Sequence, residues 1–240
     1  MVVIALAIPV IIISLYWLYM SPFSQLFGKF PYKAKTKEKV IALTFDDGPN
    51  DPFTSELLDY LAKEKIKATF FVVGNAAEQH PLVVKRIITD GHVIGNHSMS
   101  HRFTNYFRDP TFAKEIIKNQ EILHKLTGKK PALFRPPWLM RQPALLKTVK
   151  KLDMHPVGGE FCSNLEVFQV ASQKIAQDTM KKIRPGSIII FHDGYDGKGG
   201  NRRQTIDAVK LLVPELKKAG YTMTTVDKLL KIPAYQQVVK

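Results

Sequence analysis

One cysteine in 240 residues, Cys162, excludes an intramolecular disulfide and leaves the compartment open. Acid is scarce as well: 21 Asp and Glu stand against 35 Lys and Arg, a formal +14. That excess favours anionic headgroups or an acidic polymer as neighbours. Nucleic acid would draw on the same charge, but no recognition helix, aromatic stacking platform or basic arm accompanies it, and no nucleic-acid partner is expected. Internal repeats and low-complexity tracts are absent, which excludes a solenoid. The first twenty residues, Met1 to Met20, contain no charged side chain.

That uncharged stretch would span about 30 Å as a helix, the thickness of a bilayer's hydrocarbon core. Tyr16, Trp17 and Tyr19 gather at its far end, as interfacial aromatics do. No small-x-small cleavage site follows, so residues 1–20 are expected to form an uncleaved transmembrane anchor rather than a signal peptide. No Lys or Arg precedes the span, whereas Lys29, Lys33, Lys35, Lys37 and Lys39 follow it, and the positive-inside rule alone would leave the rest of the chain in the cytoplasm. Residues 21–38 then read as a short basic linker containing Gly28 and Pro31, residues 39–231 as one globular domain, and 232–240 as a tail.

Beyond Lys39, short apolar runs alternate with amphipathic helical patterns, the signature of parallel strands joined by crossover helices. Strands are expected at Val40 to Phe45, Ala68 to Val73, His92 to Gly95, Leu133 to Arg135, Met154 to Val157, Ser187 to Phe191 and Tyr221 to Val226. Helices are expected near Phe53 to Lys65, Ala76 to Thr89, Ala144 to Leu152, Gln169 to Ile183 and Arg202 to Ala219, with one more opened by Asp109-Pro110 and closed by Gly128. That makes about seven βα units.

Four chemistry-bearing motifs sit at the ends of those apolar runs. Thr44-Phe45-Asp46-Asp47-Gly48-Pro49 sets two carboxylates where a strand stops, and a turn there lets the second swing toward the first. One can hold a metal while the other handles a proton. Asn96-His97-Ser98-Met99-Ser100-His101 spaces two imidazoles four apart on a helical turn or tight loop. Two imidazoles and one carboxylate leave positions open for water and substrate, as catalytic zinc requires, although other divalent metals accept the same set. Phe134-Arg135-Pro136-Pro137-Trp138 offers a fixed cation on a stiffened loop, and Phe191-His192-Asp193-Gly194 delivers a late histidine. Alone, Asp-Asp-Gly-Pro is a turn and Arg-Pro-Pro an extended segment. Four such motifs in order, each at a strand end, point to a metal-dependent site. His80, His92, His124 and His155 lack companions and are expected in turns or on the surface; Cys162 has no base near it and reads as a small buried hydrophobe. The loop Asp193 to Arg203, with four glycines, is either a lip or sugar-binding edge beside His192 or a plain surface loop.

From roughly Lys39 to Leu230 the chain resembles the polysaccharide deacetylases of carbohydrate esterase family 4, the NodB-homology domain. The resemblance implies an α/β fold, a distorted, incomplete (β/α) barrel with its site on loops at the C-terminal strand ends. It implies a hydrolase that removes N-acetyl groups from amino sugars of a glycan, peptidoglycan or a chitin-like oligosaccharide, with a divalent metal, zinc foremost. Asp46 would act as general base, Asp47, His97 and His101 would bind the metal, Arg135 would orient Asp46, the backbone N–H of Trp138 would help hold the oxyanion, and His192 would protonate the leaving amine. Two departures stand out. Trp138 and Leu139 replace the aromatic-Gly that usually follows Arg-Pro-Pro. The fourth motif, Asp-x-x-Asp-Trp, is missing from Gly158 to Glu166, leaving Glu160 and Glu166 as the carboxylates able to support His192. A pseudoenzyme that only binds glycan and a deacylase of a small amide or ester are the competing expectations. Because such glycans lie outside the membrane, the catalytic domain is expected there, against the positive-inside rule.

Overall fold

The structure, a computed structural model, describes residues 2–163 and 165–237, with side chains described from Ile8 onward. In chain order it runs α1 (Val2–Tyr19), β1 (Val40–Asp46), α2 (Phe53–Lys63), β2 (Thr69–Val72), α3 (Gly74–Gln79), α4 (Pro81–Thr89), β3 (Val93–Asn96), α5 (Asn105–Arg108), α6 (Ala113–Thr127), β4 (Leu133–Phe134), α7 (Pro143–Lys151), β5 (His155–Pro156), α8 (Ser172–Lys182), β6 (Ile188–His192), α9 (Arg203–Lys218), β7 (Thr222–Thr224) and α10 (Val226–Leu230). The seven strands form one sheet in the order β5-β4-β3-β2-β1-β6, and β7 pairs with the first half of β1. Every pairing is parallel.

Strand β1 is buried along nearly its whole length because helices cover the sheet outside and the curled sheet covers itself inside. Its period of two decides what goes where. Ile41, Leu43 and Phe45 face outward into the main core, where Phe45 stacks on Phe70 and Phe191 at 5.2 and 6.1 Å. The alternate positions, Ala42, Thr44 and Asp46, face the barrel interior. On the outer side α9 buries Ile206, Val209, Leu212, Val213 and Leu216, a stripe at helical spacing.

The ring closes through one bridge. Past β5, Glu160 donates its N–H to the Ile188 carbonyl at 2.7 Å and accepts from the Ile190 N–H at 3.1 Å. With β5 only two residues long, this is the distorted, incomplete (β/α) barrel that the family resemblance implies. Segments on either side of the expected domain lie against it: Phe30 is buried beside Leu139 and Ile190, Ala34 pairs with Gly186, and Ala132 pairs with Ala234.

Several expectations are corrected. The helix expected over Ala76 to Thr89 is two helices, because Pro81 has no N–H to continue α3 and instead opens α4. Asp109 does not cap a helix. Its carboxylate accepts from the Thr111 N–H at 3.1 Å, turning the chain after α5, and α6 starts only after buried Phe112, whose ring stacks on Tyr106 at 4.3 Å. Gly128 does end α6, at φ 68. His92 is buried rather than on the surface; its Nδ1 accepts the Ala68 N–H at 3.1 Å, and burial lowers it to about 4, so it is neutral. Cys162 is buried as expected, its thiol raised to about 12 by burial.

The expected membrane span is corrected too. A helix does cover Val2–Tyr19, but among the described residues no helix is long and apolar enough to cross a membrane. Part of the expected span falls outside the residues whose side chains are described.

Gly159 sits at the closing bridge, and a Cβ there would meet Ile190 Cγ1 at 2.5 Å and the Ile188 carbonyl oxygen at 3.0 Å. Gly159→Ala should therefore destabilise by about 1–3 kcal/mol through overpacking, read as a lower denaturation midpoint with unchanged slope. An unshifted midpoint would mean that the bridge does not constrain the barrel.

Candidate active site

Asp46 is the last residue of β1, in register with His192, the last residue of β6. Immediately after it the chain turns through Asp47 at φ 73, a left-handed conformation that brings a second carboxylate over the barrel mouth. The two histidines follow β3 on a tight loop. Asn96 Oδ1 accepts the Ser98 N–H at 2.9 Å, and Ser98 Oγ accepts the His101 N–H at 3.1 Å, so the loop folds back on itself. His97 and His101 thereby face Asp47: their Nε2 atoms lie 3.4 and 3.1 Å from Asp47 Oδ1. All three side chains are buried.

The chemistry of this trio fits a cation. The Arg135 carbonyl lies 2.6 Å from His97 Nδ1 and can only accept, so Nδ1 carries the proton and Nε2 offers a lone pair toward Asp47. Asp47 Oδ1 is itself buried without a hydrogen-bond partner. Carboxylate oxygen and imidazole nitrogens drawn from two loops lie within 4.8 Å of one another, the donor set of a divalent ion. Burial works to raise Asp47, but the neighbouring imidazoles, His101 foremost, hold it well below the ordinary carboxylate range.

Arg135, fully buried just beyond β4, fills the barrel's centre. It donates to Asp46 Oδ1 at 2.6 Å, Thr44 Oγ1 at 2.8 Å and the Gly158 carbonyl at 2.6 Å, and its guanidinium lies 4.0 Å from the centre of the Phe71 ring. Asp46 is thus held by one oxygen, leaving the other for chemistry.

Between the two carboxylates left open in the divergent fourth-motif region, the structure chooses Glu166. Its Oε2 lies 2.6 Å from His192 Nδ1, its Oε1 accepts the His192 N–H at 3.3 Å, and Thr205 donates to it as well. Glu160 is elsewhere, accepting from Ser187 Oγ at 2.8 Å. Burial opposes protonation of His192, but the Glu166 carboxylate more than offsets it and raises the imidazole to about 9. Asp193, next in the chain, accepts from Thr54 at 2.6 Å; burial pushes its carboxyl up to about 7.

These groups open into a cavity of about 350 Å³ whose walls include Trp138, Phe161, Phe168 and Tyr195. Trp138 packs its ring 4.4 Å from His101, and Phe161 lies parallel to His192 at 6.1 Å. Sequence reasoning missed Phe161, Thr44 and Asp196, whose Oδ1 lies 2.9 Å from His101 Nδ1. Thr44 opens the first motif, Phe161 lies in the divergent segment and Asp196 in the glycine-rich loop, but local pattern gives none of them a role.

A family model described as polysaccharide deacetylase matches residues 33–157. A peptidoglycan-N-acetylglucosamine deacetylase of Bacillus cereus is 34% identical over 85% of this chain and 94% of its own length. A peptidoglycan-N-acetylmuramic acid deacetylase of Bacillus subtilis is 33% identical over 83% of this chain and 74% of its own length. Among solved structures, the Bc1960 peptidoglycan N-acetylglucosamine deacetylase superposes with a TM-score of 0.77 at 31% identity, over 85% of this chain and 94% of that one.

His192 is raised above its ordinary value, so its pairing stabilises the fold below pH about 6.5 and the contribution is lost as pH rises through about 9. Glu166→Gln should flatten that loss in denaturation of the metal-free protein and move the basic limb of kcat/KM to lower pH. Superimposable pH profiles would remove Glu166 from this role.

Proposed function

The chain belongs to the polysaccharide deacetylase family, carbohydrate esterase family 4, and from that membership we propose that it removes N-acetyl groups from amino sugars of peptidoglycan by metal-dependent hydrolysis. The observation that carries the reading is the convergence of Asp47, His97 and His101 beside an Arg135-held Asp46 and a Glu166-held His192. Asp47, His97 and His101 would hold the divalent ion, zinc foremost. When bound, such an ion polarises a carbonyl and lowers the pKa of water to about 7.

The free oxygen of Asp46 takes a proton from water as the water oxygen bonds to the acetyl carbon. The backbone N–H of Trp138 contributes to holding the oxyanion. The carbon–nitrogen bond then breaks, His192 gives its Nε2 proton to the departing amine, and acetate leaves. Phe168 and Tyr195, both more than half exposed at the cavity rim, offer stacking faces for sugar rings. A neighbouring cavity of about 750 Å³ shares Phe161 and Val167 with the site and continues past Trp17 and Phe23, room that favours a polymer over a small amide.

Acetate released from N-acetylated peptidoglycan fragments and chitooligosaccharides, with metal stripped and restored, tests the assignment. Asp46→Asn should cut kcat at least 100-fold with metal retained, and Asp47→Ala should lose both metal and turnover. A fully active, metal-free Asp47→Ala protein would refute it, and a metal-loaded native chain releasing no acetate would favour a glycan-binding pseudoenzyme. Because peptidoglycan lies outside the cytoplasmic membrane, we place the catalytic domain there as well. Protease added to intact protoplasts should then digest it; full protection would put it inside.

A further inference from the structure

The geometry points to Asp196 as a positioning residue for the metal site. Its Oδ1 stands in ion-pair contact with the otherwise unpartnered His101 Nδ1, where it would take the Nδ1 proton and fix the tautomer whose Nε2 lone pair faces Asp47. This rests on the metal reading above and goes beyond it, since Asp196 lies on the loop after β6, outside the motifs that supply the ligands.

Asp196 reaches two of the three ligands. Its Oδ1 lies 2.9 Å from His101 Nδ1, and its backbone N–H donates to Asp47 Oδ2 at 3.2 Å. The two ligating imidazoles are therefore braced at Nδ1 by different means: His97 by the Arg135 carbonyl at 2.6 Å, His101 by a carboxylate. A carboxylate on the far nitrogen orients a ligating imidazole and makes it a stronger donor.

The loop that carries Asp196 is built to stay in place. A Cβ on Gly197, at φ 66, would meet Val73 Cγ1 at 2.4 Å, so the backbone passes directly against the barrel. Asn50 donates to the Asp193 carbonyl at 3.1 Å and to the Gly200 carbonyl at 2.8 Å, and Arg202 donates to the Gly194 carbonyl. Asp193, the nearest other carboxylate on the loop, is engaged by Thr54 and does not substitute.

The test is zinc affinity of the purified full chain, measured by chelator competition at fixed pH for the native protein, Asp196→Ala and Asp196→Asn. Loss of the carboxylate in Asp196→Ala should weaken zinc about 10- to 100-fold. Asp196→Asn keeps an acceptor for Nδ1–H and should retain affinity closer to native. In the zinc-loaded chain, nitrogen-15 NMR should show the His101 Nδ1–H signal shifted between native and Asp196→Ala, a change that a purely structural role for Asp196 would not produce. Zinc held equally by the native chain and Asp196→Ala overturns this inference alone. A native chain that retains no zinc overturns the metal reading and this inference with it.

Discussion

The structure is organised around a single buried cation. Arg135 sits at the centre of the barrel with no access to solvent, a position that burial alone makes costly for a guanidinium. It is tolerable because Asp46, Thr44 and the Gly158 carbonyl each accept from it and Phe71 lies against its face. Removing one partner of such a buried pair costs about 3–5 kcal/mol, since the other charge is left uncompensated. Strand β1, the turn after β4 and the closing segment after β5 are thereby tied to one group. The same contact fixes the orientation of Asp46.

A second regularity concerns the histidines. Each of the three in the site has its Nδ1 beside an oxygen: the Arg135 carbonyl for His97, the Asp196 carboxylate for His101 and Glu166 for His192. The Nε2 atoms are left for the cavity, two converging on Asp47 and one on the opposite wall. Identical side chains thus meet different partners. His192, beside a buried carboxylate, is raised to about 9 and suits proton donation, while the pair facing Asp47 suits a cation. His92 shows the contrast, since burial without a compensating carboxylate contact leaves it neutral.

In the divergent fourth-motif region a longer side chain reaches His192. Glu166 is one methylene longer than aspartate and approaches His192 from a short 3₁₀ turn, Glu166–Phe168, which also places Val167 and Phe168 on the cavity wall. Thr205, from the first turn of α9, donates to the same carboxylate. The Glu166–His192 contact is therefore assembled from three separate stretches of chain.

Much of this was legible in the residues, and the reasons are local. The period of two along β1 and β6 put Asp46 and His192 on one face, and strand-ending turns told where the chemistry would gather. Local pattern does not decide Pro81 and Asp109, because a proline opens a helix or ends one according to what precedes it, and an Asp can bond its own turn as readily as a helix terminus. The burial of His92 is a property of the packed molecule. The sequence by itself determined the alternation of strands and helices, the four motifs and the residues able to hold a metal, since each depends on spacing along the chain. Only the tertiary structure decided between Glu166 and Glu160 and brought Asp196 to His101. Those pairings join residues 26 and 95 positions apart, whose meeting is set by the curl of the sheet rather than by local pattern.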